Sequence, residues 1–178
     1  MIKKLTLKHL IWLLPFIYIV HNLEEWLTMQ TWLGNHPSTI NLLLKEQLPA
    51  WFWQNFNIVR GTALIVASVL PFGLYLIINN LYKKKYPTYI LTVTAWIIVI
   101  NSAQHIGMTL LLRTYTPGVV SAAFINLPFS LVLLNFIQNN QDWVLPKKAK
   151  WFAISIFAYP VLMLFIWLLA MVCVKLIS

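Results

Sequence analysis

Five apolar runs, at roughly residues 9 to 30, 57 to 79, 88 to 112, 118 to 137 and 151 to 176, divide this chain, and each is long enough to cross a bilayer. Inside hydrocarbon a backbone has no water to bond, so a span of this length must be a helix or a closed-barrel strand. Strands need only about 10 residues, and these runs are twice that. The fold class expected is an all-α integral membrane protein, a five-transmembrane-helix bundle. The ends of the runs are marked by helix breakers and charge. Asn79 and Asn80 precede Lys83, Lys84 and Lys85; Pro87 opens the third run; Pro117 and Gly118 make a tight turn between the third and fourth; Pro146 precedes the fifth. The first run follows Lys3, Lys4 and Lys8 as a signal peptide would, but it carries His and Glu and no small-residue cleavage site follows, so it reads as a retained helix. With 60% apolar and 10% charged residues, an ordinary soluble domain is excluded. We find no internal repeat, and residues 1–178 read as a single transmembrane domain.

Thirteen Lys and Arg stand against four Asp and Glu. In a soluble chain that excess would point to nucleic acid. Here the basic residues lie in short clusters between apolar runs, where they meet lipid headgroups, and no nucleic-acid partner is expected. Taken by alternate sides, nine of them (Lys3, Lys4, Lys8, Lys83 to Lys85, Lys147, Lys148 and Lys150) fall on one side, against four (Lys45, Arg60, Arg113 and Lys175) on the other. The positive-inside rule puts the N-terminus in the cytoplasm and the C-terminus outside, as a multi-pass protein of the cell membrane. The one long connection, residues 31–56, holds Trp32, Trp51, Phe52, Trp53 and Phe56 with few charges, and reads as an outer interfacial segment or an aromatic belt. The single cysteine, Cys173, rules out an intramolecular disulfide.

Two of the four acidic residues, Glu24 and Glu25, lie inside the first apolar run beside His21, where charge is most costly. Positions 21, 24 and 25 are i, i+3 and i+4 and share one helical face, which Thr28 extends. Asn101 and His105 repeat the i, i+4 spacing on the third run. At about 1.5 Å of rise per residue from each cytoplasmic boundary, His21 and Asn101 fall at roughly 17 to 18 Å, with Asn126 near 18 Å. Glu24, Glu25 and His105 fall at roughly 21 to 24 Å, and Arg60 near 27 Å. All lie in the outer half of the membrane, close enough in depth to meet.

The sequence HNLEE at His21 to Glu25, the later His105 and the YTPG turn at Tyr115 to Gly118 together resemble the HXXEE family of multi-span membrane proteins. Every element of that pattern is present, over a stretch from His21 to Gly118. The resemblance implies membership and no activity, so the chemistry has to come from the residues.

Two imidazoles and two carboxylates (His21, His105, Glu24 and Glu25) are a ligand set for one divalent metal, zinc, iron or manganese, with a position open to water or substrate. The same four residues are the candidate catalytic groups. Arg60, Asn101, Arg113 and Tyr115 are candidate substrate-binding residues, and Arg60 is expected to balance or cap Glu24 or Glu25. The expected partners are membrane lipids and a lipid-like or amphiphilic substrate. Three other readings stay open: metal-free acid/base chemistry, with one of Glu24 and Glu25 neutral and the other ionised, in an architecture analogous to that of small five-span lipid isomerases; proton or ion translocation; and a structural polar network. His9 and His36 sit at run edges and read as interfacial. Ser155 and Tyr159, beside Pro160, read as back-bonded hydroxyls at a kink, and Asn126 with Pro128 marks a second kink. No serine-nucleophile motif, phosphate loop, dinucleotide fingerprint or HExxH sequence is present.

Overall fold

The computed structural model describes residues 6–36, 49–81, 86–139 and 145–177, and among these every regular element is a helix. Helix α1 spans Leu7–Asn35, α2 is a short turn of helix at Ala50–Gln54, α3 spans Phe56–Leu81 and α4 Tyr86–Leu112. We number Val119–Asn139 as one helix, α5, although Ala122–Asn126 within it is π-helical. Helix α6 spans Leu145–Ile177. Where the sequence suggests a kink at Asn126 and Pro128, the π-helical stretch ends at Asn126, widening the turn just before the proline. Six of the thirteen basic residues that orient the chain (Lys3, Lys4, Lys45 and Lys83 to Lys85), like residues 37–48 of the long connection, lie outside the described residues.

Four helices are long and apolar enough to cross a membrane: Phe56–Ile78, Thr88–Leu112, Val119–Asn139 and Lys148–Ile177. The outward faces support that reading. Leu110, Leu111, Phe124 and Phe157 are each more than 70% exposed, and such a coat of large apolar side chains is stable only against lipid. Helix α1 has the length, since 29 residues rise about 43 Å, but it carries His21, Asn22, Glu24 and Glu25 in its second half.

Two apolar cores flank these polar residues. In the larger, Leu10, Leu14 and Ile17 of α1 pack against Ile78 of α3, Leu91, Ala95 and Ile98 of α4, and Leu133 and Ile137 of α5. In the smaller, Phe52 of α2 and Val59 and Ala63 of α3 meet Ile166, Ala170 and Val174 of α6, with Phe56 stacked on Trp167. The seam between α1 and α3 is tied by Asn22, whose amide donates to Ser68 Oγ at 2.8 Å and to the Leu64 carbonyl at 3.3 Å. Nearby the Trp26 ring lies directly over Gly61, where a Cβ would stand 2.1 Å from it. These contacts fix the rotation of α1 and turn His21 and Glu25 inward.

Candidate metal centre

His21 and Glu25 are one helical turn apart on α1, and His105 faces them from α4. His105 Nε2 lies 3.2 Å from Glu25 Oε1, and His21 Nε2 lies 3.9 Å from the same oxygen. The three ligand atoms are all within 4.8 Å of one another, and the two rings meet edge to face at 4.8 Å between centroids. The far side of each imidazole is already spoken for. His105 Nδ1 donates to the Pro117 carbonyl at 2.8 Å, which fixes its proton on Nδ1. His21 Nδ1 is 2.9 Å from Ser121 Oγ, and that hydroxyl donates to the Gly118 carbonyl at 3.2 Å, so it accepts from His21. Both Nε2 atoms are therefore left as acceptors beside the same Glu25 oxygen. Three acceptors facing one another repel unless a cation lies between them, and a proton or a metal ion meets that need.

The spacing tests which cation fits. Ligand atoms of a tetrahedral zinc site with bonds of about 2.0 to 2.1 Å lie roughly 3.3 Å apart. The 3.2 Å pair is already at that distance, and the 3.9 Å pair needs only a small inward movement of His21. Two neutral imidazoles oriented by protein oxygens, one carboxylate and an adjoining cavity make a donor set that fits a divalent ion.

Glu24 has a separate task. Its Oε1 accepts from the Val120 N–H at 3.0 Å and from the Tyr115 hydroxyl at 2.7 Å, while Oε2 accepts from the Ser121 N–H at 2.7 Å. It caps the start of α5, where unpaired N–H groups and the helix dipole favour an anion. The YTPG turn thus meets both glutamates. Tyr115 holds Glu24, Pro117 orients His105, and Gly118, with φ +84°, presses on the metal-ligand set: a Cβ there would stand 2.9 Å from His21 Cε1, 3.0 Å from Glu25 Cγ and 3.0 Å from His105 Cε1. Partial burial, and then the Glu24 carboxylate, push the Tyr115 phenol above its ordinary range and keep it a donor.

The expected site residues fall into three groups. His21, Glu25 and His105 come together. Arg60 and Asn101 line the cavity of about 420 Å³ beside them, along with Gln104 and Tyr159, which the sequence reading assigned no part in the site. Asn101 donates to the Tyr159 hydroxyl at 3.2 Å, and that hydroxyl donates to Gln104 Oε1. Glu24 and Tyr115 bond each other on the far side of α1, and Arg113 is exposed in the turn, so none of the three lines the cavity. The expected ion pair of Arg60 with Glu24 or Glu25 does not form. Among the described residues neither carboxylate has a lysine or arginine within 4.0 Å, and Arg60 reaches only the Glu25 main-chain carbonyl, at 3.5 Å, with its guanidinium 5.7 Å over the Trp26 ring. The reason is position. Arg60 enters from α3 at the level of the α1 backbone, where its guanidinium meets the Glu25 carbonyl and the Trp26 ring. Ser121 was also missed. It follows Gly118 by three residues, the spacing at which a serine can bond back to a turn carbonyl, and that was the available signal. Ser155 back-bonds to the Trp151 carbonyl at 2.8 Å, as expected.

A family model described as "Protein of unknown function with HXXEE motif" matches residues 12–133. No curated protein and no solved structure matches the chain.

Proposed function

The chain belongs to the HXXEE family, whose description assigns no function, and from its own residues we propose a five-span membrane enzyme that binds one divalent metal through His21, Glu25 and His105 and acts on an amphiphilic substrate held in the adjoining cavity. The single observation carrying this reading is the convergence of two Nδ1-tethered imidazoles on one Glu25 oxygen. Three protein ligands with one side open to a cavity is the arrangement of catalytic sites, whereas structural zinc sites close with a fourth protein ligand. When bound, the ion supplies Lewis-acid polarisation of a substrate oxygen. Glu25 holds the ion's charge, Ser121 and the Pro117 carbonyl keep both imidazoles turned toward it, and Asn101, Gln104 and Tyr159 offer polar contacts on the cavity wall.

One observation favours metal-free acid/base chemistry as the second reading: the 3.2 Å contact between His105 and Glu25 also suits a shared proton. Translocation is disfavoured by the larger core, where α1, α4 and α5 seal the end away from the cluster with Leu14, Ile17, Ala95, Ile98 and Leu133. Protein purified without chelator or His-tag should carry close to one equivalent of a divalent metal, and His105→Gln should lose it while keeping its helicity, because a carboxamide is a poor ligand for these ions. Metal that is substoichiometric in the wild type and unchanged in His105→Gln would falsify the metal reading in favour of the shared proton.

The orientation in this proposal rests on the nine-to-four division of basic residues, with α1 as the fifth span in the cell membrane and the centre in its outer half. A reporter fused after Ser178 should behave as external; cytoplasmic behaviour reverses the orientation.

A further inference from the structure

Arg60 is a buried cation that the proposed metal chemistry does not use. It is 5% exposed, and among the described residues its Nε has no hydrogen-bond partner and its one hydrogen bond is the long contact to the Glu25 carbonyl. A guanidinium carries five N–H donors, and leaving them unmet in a low-dielectric wall is costly. The charge count sharpens the point. Glu24 is committed to the α5 cap, so among the described residues one carboxylate, Glu25, lines the cavity with Arg60. With a divalent ion bound, such a cavity would carry an excess of about two positive charges; without one, the unmet donors of Arg60 still call for an acceptor. A ligand bearing an anionic group with two or more oxygens would satisfy both the donors and the charge.

The cavity also has a direction. It shares Tyr18, Ala67, Ile97, Met163 and Ile166 with a second cavity of about 460 Å³ between α3, α4 and α6. That second space is walled almost wholly by apolar side chains such as Leu74, Ile77 and Leu162. Val69 and Leu70 on its rim are exposed on the lipid-facing surface, so it opens sideways to hydrocarbon. A polar chamber with a buried arginine joined to an apolar slot matches a molecule with one charged head and one hydrocarbon tail, and both volumes fall within the usual range of ligand sites.

We infer that the ligand of this site is a single-chain amphiphile with an anionic head, a carboxylate or a phosphate monoester, gripped by Arg60 beside the His21, Glu25 and His105 centre, with its tail in the slot between α3, α4 and α6. This rests on the cavity being the substrate site proposed above, but not on the metal. It is tested on the full chain in phosphatidylcholine nanodiscs by calorimetric titration with oleate, oleoyl lysophosphatidate and mono-oleoylglycerol, which share one tail and differ in head. At least one anionic probe should bind roughly tenfold or more tighter than the neutral one, and which of the two anions wins identifies the head. Arg60→Met should abolish the difference and Arg60→Lys should keep part of it. Gly73→Phe tests the slot independently. Gly73 lines the slot and no heavy atom lies within 4 Å of a Cβ there, so the added side chain starts in open space and should weaken oleate while sparing decanoate. Equal binding of all three heads, or a preference that survives Arg60→Met, overturns the anionic head; loss of oleate and decanoate alike in Gly73→Phe, or of neither, overturns the tail slot. Repeating the titration on protein stripped of metal separates the readings. Arg60-dependent binding in protein that never carries metal sustains this inference and removes the metal, whereas stoichiometric metal with no head preference does the reverse.

Discussion

Glu25→Gln is expected to empty the metal site while leaving the metal-free fold as stable as that of the wild type, and Glu24→Ala is expected to do the opposite. Glu25 offers its oxygen to His21 and His105, and no lysine or arginine lies within 4.0 Å of it. Replacing a ligand carboxylate should weaken metal binding by more than the roughly 10- to 100-fold typical of changes in the groups that merely orient ligands. The metal-free protein loses no hydrogen bond and no longer buries a carboxylate. Glu24 accepts two main-chain N–H bonds and a phenol. Its removal leaves those donors without an acceptor at a helix start, and with hydrogen bonds to charged groups contributing about 1.5 to 3 kcal/mol each, a net loss of about 3 kcal/mol is expected after water replaces part of the cap. Tyr115→Phe should cost about a third of that. Thermal midpoints and metal content measured on the same samples decide it. Metal lost in Glu24→Ala but retained in Glu25→Gln would exchange the two roles.

This division within HXXEE was only half legible in the sequence. The i, i+4 spacing of His21 and Glu25 and the similar depth of His105 are enough to bring three ligands together, because helix periodicity and rise per residue are nearly invariant. The same periodicity turns Glu24 by about 100° from Glu25, so the two carboxylates cannot serve one ion equally well. What Glu24 faces instead depends on where α5 begins, and that is set by Gly118 and by a π-helical stretch with no sequence signature of its own. Arg60 illustrates the same limit. Its depth, estimated near that of the glutamates, brought it beside Glu25 without an ion pair to the carboxylate, since depth says nothing about rotation around the bundle. The helices themselves were legible to within a few residues except at the ends of α1 and α6, which run past the apolar residues that a hydropathy reading follows.

An apolar bundle holds these charges by giving each a different means of support. Glu24 is stabilised by donors at a helix start, Glu25 by whichever cation lies against the two imidazoles, and Arg60 by the Trp26 ring face and the Glu25 carbonyl. Only the first of these arrangements is complete within the protein. The other two remain open toward the cavity, and that asymmetry favours a binding site over a network that merely ties helices, because a structural network gains most when every member is satisfied.

Gly118→Ala should be strongly damaging although it adds a single heavy atom. The residue adopts φ +84°, where a side chain costs about 1 to 2 kcal/mol from the backbone alone. The added methyl would stand 2.9 to 3.0 Å from His21, Glu25 and His105 at once. Each of these is anchored from behind, the imidazoles by Ser121 and Pro117 and Glu25 by its place on α1, so none can yield without breaking a hydrogen bond or moving a helix. Overpacking of this kind adds about 1 to 3 kcal/mol, for a total of roughly 2 to 5 kcal/mol. Metal affinity should fall with it, since the ligand atoms are the ones displaced. Gly107→Ala supplies the control two residues beyond His105. Nothing lies within 4 Å of its Cβ position, and alanine is the better helix former by about 1 kcal/mol, so it should be neutral or stabilising. If Gly118→Ala melts and binds metal as Gly107→Ala does, the YTPG turn does not press on the centre and its carbonyls are not what orients the histidines.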